Sequence, residues 1–112
     1  MDKEEERIEI QPVMDALEII GGKWKFPIIF SLCSSKKRFK ELEADLGKIS
    51  SRALSNALKD LEENGLIKRE VFPTVPVTVE YSLTEYGYEL RPVLQAIQQW
   101  GLTHRKRIFG KG

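Results

Sequence analysis

Three features of this sequence predict a mainly α-helical fold with a small β-hairpin wing, a winged helix-turn-helix. Ser50 to Asn64, closed by Gly65, reads as a short helix with two unlike faces. A second short amphipathic helix precedes it across a turn of about three or four residues, the length of a helix-turn-helix turn. Two β-prone runs come after it, separated by a tip with two prolines.

In chain order, the first helix is expected over Val13–Ile20, with Pro12 at or near its first position, where a missing N–H costs little. Gly21-Gly22 ends it. Trp24–Ser34 is next, a second helix, apolar on nearly every side and therefore central and buried, with Pro27 tolerated in its first turn. Trp24, Phe26, Phe30 and Phe39 are the expected aromatic core. Phe39, Leu42, Glu43 and Leu46 make the short amphipathic helix, and Gly47 stops it where a left-handed residue is wanted. Lys48-Ile49 leads to Ser50, a good N-cap. Ala53 stands where a capping box would need an acid or amide, so the cap is a simple one.

In the helix that Ser50 opens, Ala53, Leu54, Ala57, Leu58 and Leu61 recur at three- and four-residue spacing and face a core. Ser51, Arg52, Ser55, Asn56 and Lys59 lie on the other side, and the acids Asp60, Glu62 and Glu63 come only at the end. A solvated face normally mixes charge signs throughout. A helix whose N-terminal half meets base edges and phosphates needs acids kept away from that half.

A plain helical hairpin in a bundle would show the same helix pair, and the two β-prone runs decide against it. Leu66–Phe72 and Val77–Leu83 read as strands, the second with Val77, Val79, Tyr81 and Leu83 alternating against Thr78, Glu80 and Ser82. Pro73-Thr74-Val75-Pro76 cannot sit in a central ladder and makes the tip. Thr84 caps a last helix with Leu90, Val93, Leu94, Ile97, Trp100 and Gly101 on its apolar side, and Pro92 predicts a kink or irregular turn around Tyr88–Arg91.

The length fits one domain, residues 1–112, able to bury roughly two-thirds of its unfolded surface. A single cysteine excludes an internal disulfide framework and suits a reducing cytosol, so the cytoplasm is the expected location. No apolar run approaches the roughly 18 residues of a membrane span. The acidic start, Met1 to Glu6, is the reverse of a signal peptide's basic one. The net charge of +1 conceals an uneven distribution: residues 1–18 hold seven acids and two bases, while residues 36–59 hold seven bases and three acids.

That distribution, with the helix faces, selects the expected DNA-contacting set. Lys36, Lys37 and Arg38, directly ahead of the first helix of the pair, and Lys40 at its start are the expected phosphate contacts. Ser50, Ser51, Arg52, Ser55, Asn56 and Lys59 come from the second. Thr74 and Thr78 come from a wing tip that carries no base. Arg52 suits a bidentate pair to guanine and Asn56 one to adenine. The apolar stripe of the last helix exceeds one subunit's needs, so Leu90, Val93, Leu94, Ile97 and Trp100, completed by Val13, Met14 and Leu17, form the expected homodimer interface. The bland reading of Trp100 is that it closes the monomer core. An enzyme finds no support: His104 sits among Thr103, Arg105, Lys106 and Arg107, no Cys/His cluster has metal spacing, and no cofactor or catalytic residue is expected. The alternative function is a winged helix used for protein–protein assembly without DNA readout, which an acidic recognition face would have favoured.

The segment Leu17–Gly101, about three quarters of the chain, resembles the HxlR-type winged helix-turn-helix transcriptional regulators. The matching pieces are Gly21-Gly22-Lys23-Trp24, Arg38-Phe39 with Glu41-Leu42, Ile49-Ser50, Leu54, Leu58, and Leu61-Glu62-Glu63-Asn64-Gly65-Leu66. Val79 to Glu85, Gly87 and Trp100-Gly101 complete them. The resemblance implies a small prokaryotic DNA-binding protein, a homodimer, acting at a palindromic operator. Many members carry a cysteine just before the Pro-Val of the first helix, and several use it to sense electrophiles or oxidants. Here Gln11 precedes Pro12-Val13. The only thiol, Cys33, lies in an apolar stretch, where a cysteine is a small buried hydrophobe, protonated and slow to react. The sensing chemistry therefore does not carry over by residue match, and the sequence names no effector.

Overall fold

A computed structural model describes residues 7–110; the acidic start Met1–Glu6 lies outside the described residues. The elements are α1 (Ile10–Ile20), α2 (Lys25–Ser34), α3 (Phe39–Leu46), α4 (Ser51–Glu63), β1 (Ile67–Phe72), β2 (Thr78–Leu83), α5 (Glu85–Tyr88) and α6 (Arg91–Phe109). The strands form one antiparallel pair with Ile67 opposite Leu83 and Phe72 opposite Thr78. This is the mainly helical class with a hairpin wing that the sequence predicts.

One core joins the elements. α1 supplies Ile20; α2 supplies Ile28, Ile29 and Leu32; α3 supplies Leu42; the hairpin supplies Ile67 and Leu83. α4 buries Leu54, Ala57, Leu58 and Leu61, its expected stripe. Fully burying each of those leucines contributes about 1.5–3 kcal/mol, so α4 is held by its inner face and its outer face is left for solvent or a partner.

Four local departures have physical causes. First, α1 begins at Ile10, earlier than expected, which puts Pro12 at the third helical position. The first four N–H groups of a helix have no intrahelical partner, so proline there still costs no bond. Gln11 Nε2 donates to Asp15 Oδ1 at 2.8 Å across that turn. Second, Phe30 is not in the core. It is 65% exposed, because α2 turns Ile28, Ile29 and Leu32 inward and Phe30 to the opposite side. Trp24, Phe26 and Phe39 pack against the core only partly buried. Cys33, expected to be buried, is likewise only partly so.

Third, Val77 belongs to the exposed tip, and β2 starts at Thr78. Fourth, the last helix is divided in two. Thr84 caps α5, its Oγ1 accepting from Gly87 N at 3.0 Å. The chain breaks at Glu89–Leu90, within the expected interval, and α6 starts with Pro92 in its first turn, where its missing N–H removes no bond. Gly87 is required here: a Cβ would lie 2.1 Å from the Leu66 carbonyl oxygen.

Candidate nucleic-acid interface

The turn between α3 and α4 is Gly47–Ser50. Gly47 has a φ of +74°, as its stop position requires. Ile49 is buried and pins the turn to the core. Ser50 caps α4 with its hydroxyl accepting from Ala53 N at 3.0 Å. The two helices are also tied directly: Ser51 Oγ donates to Glu43 Oε2 at 2.6 Å. At the far end Gly65 has a φ of +76°, and Leu66 N donates back to Leu61 O at 3.0 Å. α4 is thus fixed at both ends.

On its outer face Ser51, Arg52, Ser55, Asn56 and Lys59 are all exposed. The described residues form three ion pairs, Lys25–Asp60, Lys36–Glu80 and Lys37–Asp45. Arg38, Lys40, Arg52 and Lys59 take part in none of them, so their charges are available to a ligand. Lys48, on the turn, and Lys68 and Arg69, on β1, are also exposed and outside those pairs. The expected set omitted these three, although Lys48 is one of the seven bases of residues 36–59.

Lys36 and Lys37 behave differently from the rest of the basic run. Lys36 Nζ lies 3.6 Å from Glu80 Oε1 on β2. Lys37 has only 18% of its side chain exposed and binds Asp45 on α3. Its Nζ also donates to Ser31 Oγ at 3.1 Å, and Ser31 Oγ donates to Asp45 Oδ2 at 2.6 Å. The hydrogen bonds from Lys37 and Ser31 hold the Asp45 carboxyl below its ordinary range. The Lys37 backbone pairs with the wing as well: its N–H donates to Tyr81 O at 2.9 Å and its carbonyl accepts from Tyr81 N at 2.8 Å. Lys37 is a junction between α2, α3 and β2.

At the wing tip Thr74 Oγ1 donates to Pro76 O at 2.7 Å, and the Thr74 and Thr78 hydroxyls stand 3.4 Å apart. Both hydroxyls are engaged within the turn, while Val75 projects fully into solvent.

The proposed dimer residues fall into two groups. Val13, Met14 and Leu17 on α1 and Val93, Ile97 and Trp100 on α6 are exposed, whereas Leu90 and Leu94 pack against the core of the same chain. Trp100 does not close the monomer core; it is 67% exposed and stacks on His104 with ring centroids 5.0 Å apart. Among the described residues no group of three or more His, Cys, Asp and Glu is placed to hold a metal, and no helix is long and apolar enough to cross a membrane. Burial pushes the Cys33 thiol up, with the Arg91 guanidinium pulling the other way. The net direction makes it a weak nucleophile at neutral pH.

Comparison with known proteins agrees with this architecture. The family model described as HxlR-like helix-turn-helix matches residues 19–109. YdeP of Bacillus subtilis (strain 168), an HTH-type transcriptional regulator itself uncharacterised, is 46% identical over 97 residues, covering 87% of this chain and 76% of its own. The redox regulator HypR in its reduced form superposes with a TM-score of 0.84 at 39% identity, over 89% of this chain and 99% of that one. The reduced transcriptional regulator YodB from B. subtilis gives a TM-score of 0.75 at 38% identity, over 83% and 91%. These matches are regulators, not enzymes.

Proposed function

The chain belongs to the HxlR-like helix-turn-helix family, and from that premise we propose that it is a transcriptional regulator that binds double-stranded DNA as a homodimer at a palindromic operator. The observation that carries this reading is the outer face of α4, where Arg52 and Asn56 stand exposed on adjacent turns of a helix fixed at both ends. A guanidinium outside any ion pair can form the two-bond fork to guanine, and an amide the fork to adenine. Arg38, Lys40 and Lys59 flank that face as sequence-independent phosphate contacts.

A homodimer supplies the second half-site. Val93, Ile97 and Trp100 leave α6 with an uncovered apolar stripe, and α1 offers Val13, Met14 and Leu17. A two-fold contact between such faces is self-complementary and spaces two reading helices by about one turn of DNA, roughly 34 Å. Assembly on another protein would call for an acidic or apolar outer face on α4, and the face is basic and polar. A gel shift of the protein against the DNA upstream of its own coding region is the direct test. Retardation that an excess of unrelated duplex does not compete away is expected; equal competition by unrelated DNA would refute sequence-specific binding.

A further inference from the structure

α2, α3 and α6 line an open cavity of about 720 Å³ which, apart from Lys37, contains none of the expected DNA-contacting residues. Its size falls within the range of small-molecule sites, about 300–1,000 Å³. Phe30, Leu46 and Leu94 give it apolar walls, with Arg91 among the lining residues and Lys37 paired to Asp45 there too. The lining charges are therefore two cations against one carboxylate, and the one cation outside the described ion pairs is Arg91. Such a wall complements a monoanion with a flat apolar body: the ring lies along Phe30, and the anionic group meets the planar fork of the guanidinium.

The exposed Phe30 ring is otherwise unexplained. It is a large aromatic side chain, 65% exposed, on a helix whose other side is the centre of the core. The cavity is also distinct from the proposed dimer face. At about 100° per residue, Arg91, Leu94, Gln95 and Gln98 form one stripe of α6, while Val93, Ile97 and Trp100 form another, well round the helix. We propose that this cavity binds a small aromatic carboxylate through Arg91 and Phe30, and that its occupancy is communicated to the DNA-binding unit through Lys37. The Lys37 ammonium ties the cavity wall to α3 through Asp45, and the Lys37 backbone pairs with the wing at Tyr81, so a carboxylate that is held at Arg91 and also attracts this ammonium competes with Asp45 at the residue that joins α3 to the wing.

The communication half of the proposal rests on the DNA-binding reading; the binding half does not. Cys33 lines the same cavity and is the chain's single thiol, so its alkylation reports occupancy. The full chain is treated with N-ethylmaleimide at mildly alkaline pH, and labelling is followed by intact mass with 2-naphthoate or its neutral isostere 2-naphthamide present. Saturable slowing of labelling by about tenfold or more with 2-naphthoate is expected, with a much weaker effect of 2-naphthamide, because only the anion engages the guanidinium. Arg91→Ala, whose fold is checked by circular dichroism, is expected to lose the protection.

Equal protection by the two probes, protection by neither, or protection that survives in Arg91→Ala overturns the site. A thiol that stays unreactive without any probe until the protein is diluted to monomer shows that a second copy covers the cavity, and overturns it too. In the DNA arm, saturating 2-naphthoate is expected to shift the affinity for the upstream DNA, and an unchanged affinity overturns the communication. Absence of DNA binding without any probe would count against the DNA-binding reading and leave the labelling result standing.

Discussion

Removing the Arg52 side chain tests the central assignment most sharply, because the structure separates its binding role from any folding role. Arg52 is exposed on α4 and takes part in none of the described ion pairs. Arg52→Ala is therefore expected to change unfolding free energy by no more than about 0.5 kcal/mol, the range of surface substitutions away from special features. A bidentate contact to guanine contributes about 1–3 kcal/mol of discrimination. A symmetric dimer makes the contact twice, so the loss on a full operator is about 2–6 kcal/mol, or roughly thirtyfold to more than ten-thousandfold in Kd. Arg52→Lys keeps the charge and loses the fork, and is expected to recover affinity for unrelated DNA without recovering site preference. Fluorescence anisotropy with the upstream DNA and with a scrambled duplex measures both quantities, and selection from a random library measures preference base by base. If Arg52→Ala keeps the affinity ratio between the two duplexes and the same preferred sequence, α4 is not the reading helix.

The other expectations are narrower. Lys40→Ala weakens binding to all duplexes alike and lowers the salt slope of log Kd by about one per lost phosphate contact, whereas Lys37→Ala, whose ammonium is already occupied by Asp45 and Ser31, changes that slope less and lowers the thermal midpoint; the reverse ranking by anisotropy at graded salt would contradict the assignments. Thr74→Ala with Thr78→Ala costs less DNA affinity than Lys40→Ala, since both hydroxyls are spent within the tip; a larger loss would make the wing a principal contact. Asp45 is held below its ordinary range in the folded state, so its stabilisation is present above the ordinary carboxylate pKa and lost as pH falls through the lowered one. Asp45→Asn should therefore flatten the acid limb of a urea-midpoint curve taken from about pH 5 to about pH 2, and an unchanged limb would remove the carboxylate from the account. Trp100→Ala with Ile97→Asp yields a folded monomer by light scattering that binds single half-sites weakly; a native chain that is monomeric at micromolar concentration with full operator binding would exclude the dimer.

The helix-turn-helix unit was legible because its signals are local. Ser50 as cap, Gly65 as stop and the Leu54–Leu58–Leu61 stripe lie within one stretch of chain, and each has a single structural meaning. Phe30 was not legible for the opposite reason. α2 is Lys-Phe-Pro-Ile-Ile-Phe-Ser-Leu-Cys-Ser, and a helix with almost no polar face gives no phase from which to infer which apolar residue points outward. The pairing of Lys36 with Glu80 and of Lys37 with Asp45 depends on side chains brought together by the fold, so a run of bases read as uniformly free proves to be divided. The cavity beside Arg91 lies between three helices and has no period in the sequence at all.

How α4 is aligned to the proposed spacer is decided at one junction. Thr84 Oγ1 donates to Gly65 O at 2.6 Å, and Thr84 N donates to Leu66 O at 3.1 Å, so the start of α5 is bonded to the residues that end α4. Gly87 lets α5 approach the Leu66 carbonyl more closely than any side chain permits. The break at Glu89–Leu90 comes next, and Leu90 and Leu94 then seat the beginning of α6 on the core. Beyond that point α6 buries nothing, and its second stripe, through Val93, Ile97 and Trp100, is free to meet a copy of itself. The chain thus connects the end of α4 to the start of α6 through hydrogen bonds and close packing, with no flexible linker between them. In a symmetric dimer joined through α6, that connection would transmit the two-fold axis to both copies of α4 and set the half-site spacing.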